Sequence, residues 1–222
     1  MLRSMPQGFF SSTIGQKVLM AVTGVILFGF VLGHMAGNLQ IFLGREAFNA
    51  YSQWLHELVH GTGLWIVRAG LLAAVFGHIV ASTSLTILSR RARPVGYREQ
   101  AHVASTYASR TMRWSGPIIL AFVVYHLLDL TLGRANPGFD PHDPYRNVLV
   151  SFQRPAVVAF YVLAVLGLSI HLRHGVWSML QSVGASHPRY DRWRKAGAAA
   201  FAVVVGAGFV LVPLAVAAGW VR

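Results

Sequence analysis

Residues 18–38 read VLMAVTGVILFGFVLGHMAGN, an uncharged apolar run long enough for a membrane-spanning helix, with a histidine, His34, late in it. The pattern returns downstream. His78, His126 and His171 follow at gaps of 44, 48 and 45 residues, one in each of the next three apolar runs, and a fifth run has none. Hydrocarbon offers nothing to the ring nitrogens of histidine, so one histidine on each of four helices calls for shared partners. Haem iron accepts neutral imidazole on both axial positions, and four imidazoles make two such pairs. The sequence therefore predicts an all-α integral membrane protein, five transmembrane helices in a bundle enclosing two b-type haems.

Composition agrees. The 222 residues are 55% hydrophobic and 12% charged, with a mean hydropathy of +0.52. The apolar cores run over 18–35, 64–88, 114–132, 155–179 and 196–220, each close to or beyond the ~20 residues that cross ~30 Å of hydrocarbon. That leaves residues 1–222 as a single transmembrane cytochrome b domain, with no separate soluble one. There is no cysteine, hence no disulfide, no thiolate-held cluster and no covalently attached haem. The net charge of +12 sits between apolar runs rather than on a soluble face, which argues against nucleic acid. The polar start, Met1 to Lys17, precedes a run long enough to span and does not read as a cleavable signal. Small residues, Gly24, Gly29 and Gly33 in the first run and Gly167, Gly175 and Gly184 in the fourth, allow close helix approach or room for a flat cofactor.

Charge bias sets the orientation. Arg3, Lys17, the cluster Arg90, Arg91, Arg93, Arg98, Arg110 and Arg113, and the group Arg189, Arg192, Arg194 and Lys195 place 12 cations on one side. The other side has five, Arg45, Arg134, Arg146, Arg154 and Arg222. The N-terminus is predicted to be cytoplasmic and the C-terminus outside. Depth then follows from position: His34 and His126 come late in outward-running spans, His78 and His171 late in inward-running ones. The pairs are therefore His34 with His126 on the outer side and His78 with His171 on the inner side, ~15 Å apart along the normal for about ten residues of helix. Arg173 beside His171, and His174 one turn on, are candidates for the inner propionates. Arg68 is a candidate for the outer ones, or a residue snorkelling to the interface. His56, His60, His102, His142 and His187 read as solvated loop residues, and Asp129 as an acid at the edge of a span. Phe48, Tyr51, Leu55 and Leu58 recur at helical spacing in the first outer loop, predicting an amphipathic helix that serves as an interfacial anchor or as a lid.

The segment His171-Leu-Arg-His174-Gly175-Val-Trp177-Ser178-Met-Leu-Gln181-Ser-Val-Gly184 resembles the His-x-x-His-Gly region of the membrane cytochrome b subunit of succinate dehydrogenases and fumarate reductases. Ser11-Ser12-Thr13-Ile14-Gly15-Gln16-Lys17, Met20-Ala21-Val22-Thr23-Gly24 and His34-Met-Ala-Gly37-Asn38-Leu39 resemble its single-subunit, five-span, two-haem class. The resemblance covers essentially the whole chain. It implies axial ligands His78 and His171 for the inner haem b and His34 and His126 for the outer, with His171 preferred to His174 because the family's glycine falls at Gly175. It implies a flavoprotein subunit and an iron–sulfur subunit docked on the cytoplasmic face of a bacterial membrane, with succinate electrons passing to a quinone, menaquinone for this class. Where some fumarate reductases of the class have a glutamate tied to proton movement, this chain has Ser169. A quinone needs donors for its carbonyls and a proton source; Ser11, Ser12, Lys17, Trp177 and Gln181 are candidates inside, and Glu57 and His60 outside. The alternatives are the cytochrome b subunit of a hydrogenase or formate dehydrogenase, and a histidine-lined metal transporter, which would want carboxylates near the histidines.

Overall fold

Ser12 starts the first helix. Its Oγ accepts the Gly15 N–H at 3.0 Å and donates to the Phe9 carbonyl at 2.6 Å, an N-cap on α1, Thr13–Leu39. A computed structural model describes residues 8–9, 12–92, 107–182 and 184–222, and their regular structure is helical throughout. Past α1 a 3₁₀ turn, Gln40–Leu43, ends at Gly44, whose φ of +95° turns the chain into α2, Arg45–Glu57. This is the amphipathic helix expected in the first outer loop, and His56 lies in its last turn rather than in a loop. Val59, His60 and Gly61 all take positive φ and reverse the chain into α3, Thr62–Arg91. A β-branched residue rarely sits there, so Val59 marks this reversal as a strained turn.

The second half runs through α4, Tyr107–Leu130, α5, Pro144–Phe152, α6, Pro155–Ser182, and, after a 3₁₀ turn at Pro188–Tyr190, α7, Asp191–Ala217. Asp143 caps α5, with Pro144 at the first helical position. At the end of α7 the Gly219 and Trp220 N–H groups bond back to Val216 and Ala215 around Gly219 at φ +73°. That closure stops the helix three residues short of the expected Trp220, and α4 likewise ends at Leu130 rather than Leu132. Gly184 lies beyond α6, at φ +82°, not within it.

Among the described residues four helical segments, Thr13–Leu43, Thr62–Arg91, Pro155–Ser182 and Pro188–Ala217, are long and apolar enough to cross a membrane, and α4 contributes a shorter apolar stretch, Trp114–Leu130. Large apolar side chains such as Ile66, Leu72, Phe76, Leu163 and Val203 remain exposed along them, the surface of a multi-pass membrane protein. In the bundle α6 packs between α4 and α7, while α1 packs on α3 and also touches α6 and α7. The main apolar core lies at the end of the bundle that carries α2 and α5, where Ile41, Tyr145, Phe152, Val158, Tyr161 and Val216 join α5 to α6 and α7. Arg45 of α2 pairs with Asp143, which also accepts from Asn49 at 2.9 Å, so α2 is clasped to α5.

Candidate functional site

The four helix-borne histidines meet in two pairs. His34 on α1 and His126 on α4 have ring centroids 5.7 Å apart; His78 on α3 and His171 on α6 have theirs 6.4 Å apart. These are the pairs that depth along the spans selects. The helices that carry each pair do not pack on one another: among the described residues neither α1 with α4 nor α3 with α6 makes an extended backbone contact. Gly24 lies beside the His78 ring, 3.9 Å from where its Cβ would be, while Gly29, Gly33, Gly167 and Gly175 have open space there.

A hydroxyl from a neighbouring helix sits against three of the imidazoles. Thr23 Oγ1 lies 3.1 Å from His78 Nδ1 and gives its own proton to the Leu19 carbonyl at 2.7 Å. Ser115 Oγ lies 3.1 Å from His171 Nδ1 and donates to the Met112 carbonyl at 3.2 Å. Tyr161 Oη lies 3.4 Å from His126 Nδ1 and donates to Asp129 at 3.0 Å. With each hydroxyl proton so engaged, the imidazole must be the donor through Nδ1–H, which leaves Nε2 as the bare nitrogen for a metal. His34 is held differently, by stacking on Phe30 at 5.2 Å and contact with Phe209 at 5.8 Å.

These hydroxyls were not legible as site residues, yet they carry a regular spacing. Thr23 and His34 are eleven residues apart on α1, as are Ser115 and His126 on α4, so the two levels differ by roughly 16 Å of helix rise. The donor set tests whether haem fits. Among the described residues no three His, Asp, Glu or Cys converge as a metal-ion cage. Each level offers two imidazoles, which suits an iron whose other positions a macrocycle fills. Metal–imidazole bonds of about 2 Å on opposite sides of one iron put ring centres roughly 6 Å apart, near both observed separations. The residues fit the group.

Asp129 stands at the edge of a span as expected, one residue from the end of α4. It is also wholly buried, at 0% exposure, where it takes hydrogen bonds from Ser151, Tyr161 and Arg154, the last at 2.6 Å. Arg154, counted from sequence only as an outer cation, also bonds the Ala135 carbonyl at 2.8 Å.

The remaining candidates scatter. Arg68 lies over the Trp65 ring at 5.0 Å near the start of α3, and Arg173 is exposed on α6. His174 has a buried Nδ1 with no hydrogen-bond partner among the described residues, and its ring meets Trp177 edge-on at 5.8 Å. Trp177 donates to Asp191 at 3.3 Å and carries Lys195 over its face. Lys17 and Gln181 are exposed, and Ser12 is engaged as the helix cap. Glu57 is exposed and accepts from Gln53 at 2.7 Å, with His60 exposed three residues on. Ser169 bonds its own helix at Val165 and lies against Gly206 of α7. Ser11, Arg93, Arg98 and His102 lie outside the described residues, as do the side chains of Arg110 and Arg113.

The family described as succinate dehydrogenase/fumarate reductase transmembrane subunit matches residues 86–212, which include His126 and His171. The succinate dehydrogenase cytochrome b558 subunit of Bacillus subtilis (strain 168) is 27% identical over 179 residues, 78% of this chain and 82% of that protein. No solved structure matches.

Proposed function

Since the chain belongs to the succinate dehydrogenase/fumarate reductase transmembrane subunits, we propose that it is the five-span, two-haem anchor of such an enzyme, carrying electrons to a quinone. As a member of that family it is a membrane anchor subunit. The finer reading rests on one observation above all: two imidazole pairs about eleven residues apart in depth, three of the four rings fixed by a hydroxyl as Nδ1–H donors. In this reading α4 is the fifth span. His34 and His126 hold the outer haem b, and His78 and His171 the inner. When bound, each haem would supply one-electron transfer between the partner subunits and the quinone.

The chain's own residues supply orientation and insulation. Thr23, Ser115 and Tyr161 fix the ring planes, and the surrounding apolar helices keep water from the pairs. His174, with its unpartnered buried nitrogen, is the best-placed inner group for a propionate, ahead of the exposed Arg173; Arg68 is the outer candidate. The flavoprotein and iron–sulfur subunits dock on the cytoplasmic face, where Arg90, Arg91, Arg189 and Arg192 lie, and the quinone is menaquinone. The outer side, with Glu57 and His60, is where we place its reduction, because electrons sent to an outer haem need an acceptor there. The protein sits in a bacterial cytoplasmic membrane with its N-terminus inside.

The test is haem content of the purified complex. His34→Ala or His126→Ala should each cost the outer haem, and His78→Ala or His171→Ala the inner, leaving one low-spin haem per chain. A variant that keeps two removes that residue from the ligand set. Succinate-dependent quinone reduction by the assembled complex, with dye reduction by the partner subunits as control, tests the electron path.

A further inference from the structure

The hydroxyls that hold the imidazoles are alike in geometry and unlike in what stands behind them. At the inner level Thr23 and Ser115 pass their protons to neutral backbone carbonyls. At the outer level Tyr161 passes its proton to Asp129, a wholly buried carboxylate. Asp129 is held there by three side chains, Ser151 at the end of α5, Arg154 in the link to α6 and Tyr161 on α6. Arg154, with its side chain 30% exposed, pairs with the carboxylate, and Ser151, at 0% exposure, donates to it. Burying a carboxylate this completely is costly unless its hydrogen bonds are made, and here each oxygen has at least one donor.

We infer that Tyr161 and Asp129 are positioning residues for His126, forming a relay, Asp129–Tyr161–His126, that orients the outer imidazole and makes it a stronger electron donor than its inner counterparts. This rests on His126 being an axial ligand. The physical argument is that a ligand imidazole whose Nδ1–H bonds to a group polarised by an anion becomes more basic at Nε2, and a more basic ligand favours the ferric over the ferrous state. Arg154 tempers the effect, since it pairs with the same carboxylate from the outer surface. Among the described residues the hydroxyls beside the inner histidines end on the helix backbone rather than on an anion. The two levels are thereby made electronically different by the protein rather than by the cofactor.

The experiment is a redox titration of both haems in the assembled complex, with low-temperature EPR of the ferric state. His126→Ala identifies the outer signal by its loss; if that variant keeps both haems, the ligand assignment fails and the relay with it. Tyr161→Phe keeps the ring in the aromatic cluster and removes only the hydroxyl. The expected result is an upward shift of the outer midpoint potential and a displaced outer EPR signal, with the inner haem unmoved. Asp129→Asn keeps the acceptors for Ser151 and Tyr161 and removes the charge, so it should shift the outer potential in the same direction even if Tyr161→Phe fails to assemble. Thr23→Val, the matched inner substitution, should move the inner potential less. An unmoved outer potential in Tyr161→Phe or Asp129→Asn, with both haems retained, would overturn the inference and leave the ligand assignment standing. Equal shifts in Thr23→Val and Tyr161→Phe would overturn the part assigned to the carboxylate.

Discussion

Thr23 has no outward sign of a role: a small polar residue in an apolar run, of the kind that helices routinely satisfy through their own backbone. Its position against His78 depends on the rotation of α1 relative to α3, which no single-sequence pattern encodes. The histidines were legible because hydrocarbon makes them anomalous; the hydroxyls were not, because hydrocarbon tolerates them. Ser115 has the same standing, and Asp129 differs only in being charged. A buried imidazole N–H stripped of its acceptor costs about 1–3 kcal/mol. Thr23→Val and Ser115→Ala should therefore each lower the stability of the inner site by that order while leaving the fold intact. On the proposed two-haem reading the readout is the temperature at which the haem absorbance is lost, with the outer haem released at its usual temperature in both variants.

Between α2 and α5 the sequence yielded one helix and missed its partner. The apolar spacing from Phe48 to Leu58 was long enough to read as α2, whereas α5 spans nine residues, too few for a periodic pattern. The signal available was the Asp143–Pro144 pair, a cap followed by a proline at the first helical position. Asp143 does more than cap. Desolvation works to raise its carboxyl pKa, but hydrogen bonds from Arg45, Asn49 and the Arg146 N–H outweigh this and hold it below the usual carboxylate value. A depressed folded-state pKa means that the clasp contributes fully above the unfolded carboxylate pKa of about 3.9 and is lost as pH falls through the lower folded value. Asp143→Ala should cost about 1 kcal/mol from the cap alone at neutral pH, seen as faster amide exchange in α2 and α5. The gap from wild type should close in acid. Gly37 pins the other side of α2, because a Cβ there would stand 2.8 Å from the Tyr51 ring. Gly37→Ala should lift Tyr51 at about 1–3 kcal/mol of overpacking, measurable as exchange confined to the outer helices.

Across the chain as a unit, the two levels of the bundle and the membrane class were readable because each is a one-dimensional property of the sequence. The order in which helices neighbour one another was not, since apolar faces of similar composition do not specify their partners. That order shows something further. In α1 to α3 the first long helix supplies Thr23 to His78, and an amphipathic helix follows at the outer end; in α4 to α6 Ser115 serves His171, and α5 stands where α2 does. α1–α3 and α4–α6 thus follow one order of helices, with α7 outside it, and the residue ten before His78 is Arg68 while the one ten before His171 is Tyr161. Every imidazole pair takes one ring from α1–α3 and one from α4–α6. A chain cut within residues 93–106 and expressed as two fragments should therefore copurify with both haems, while neither fragment alone binds either, as a haem assay of each preparation would record. On the proposed reading the prosthetic groups act as rivets: each fastens a ring of α1–α3 to a ring of α4–α6, so the electron carriers would also hold the two halves of the bundle together.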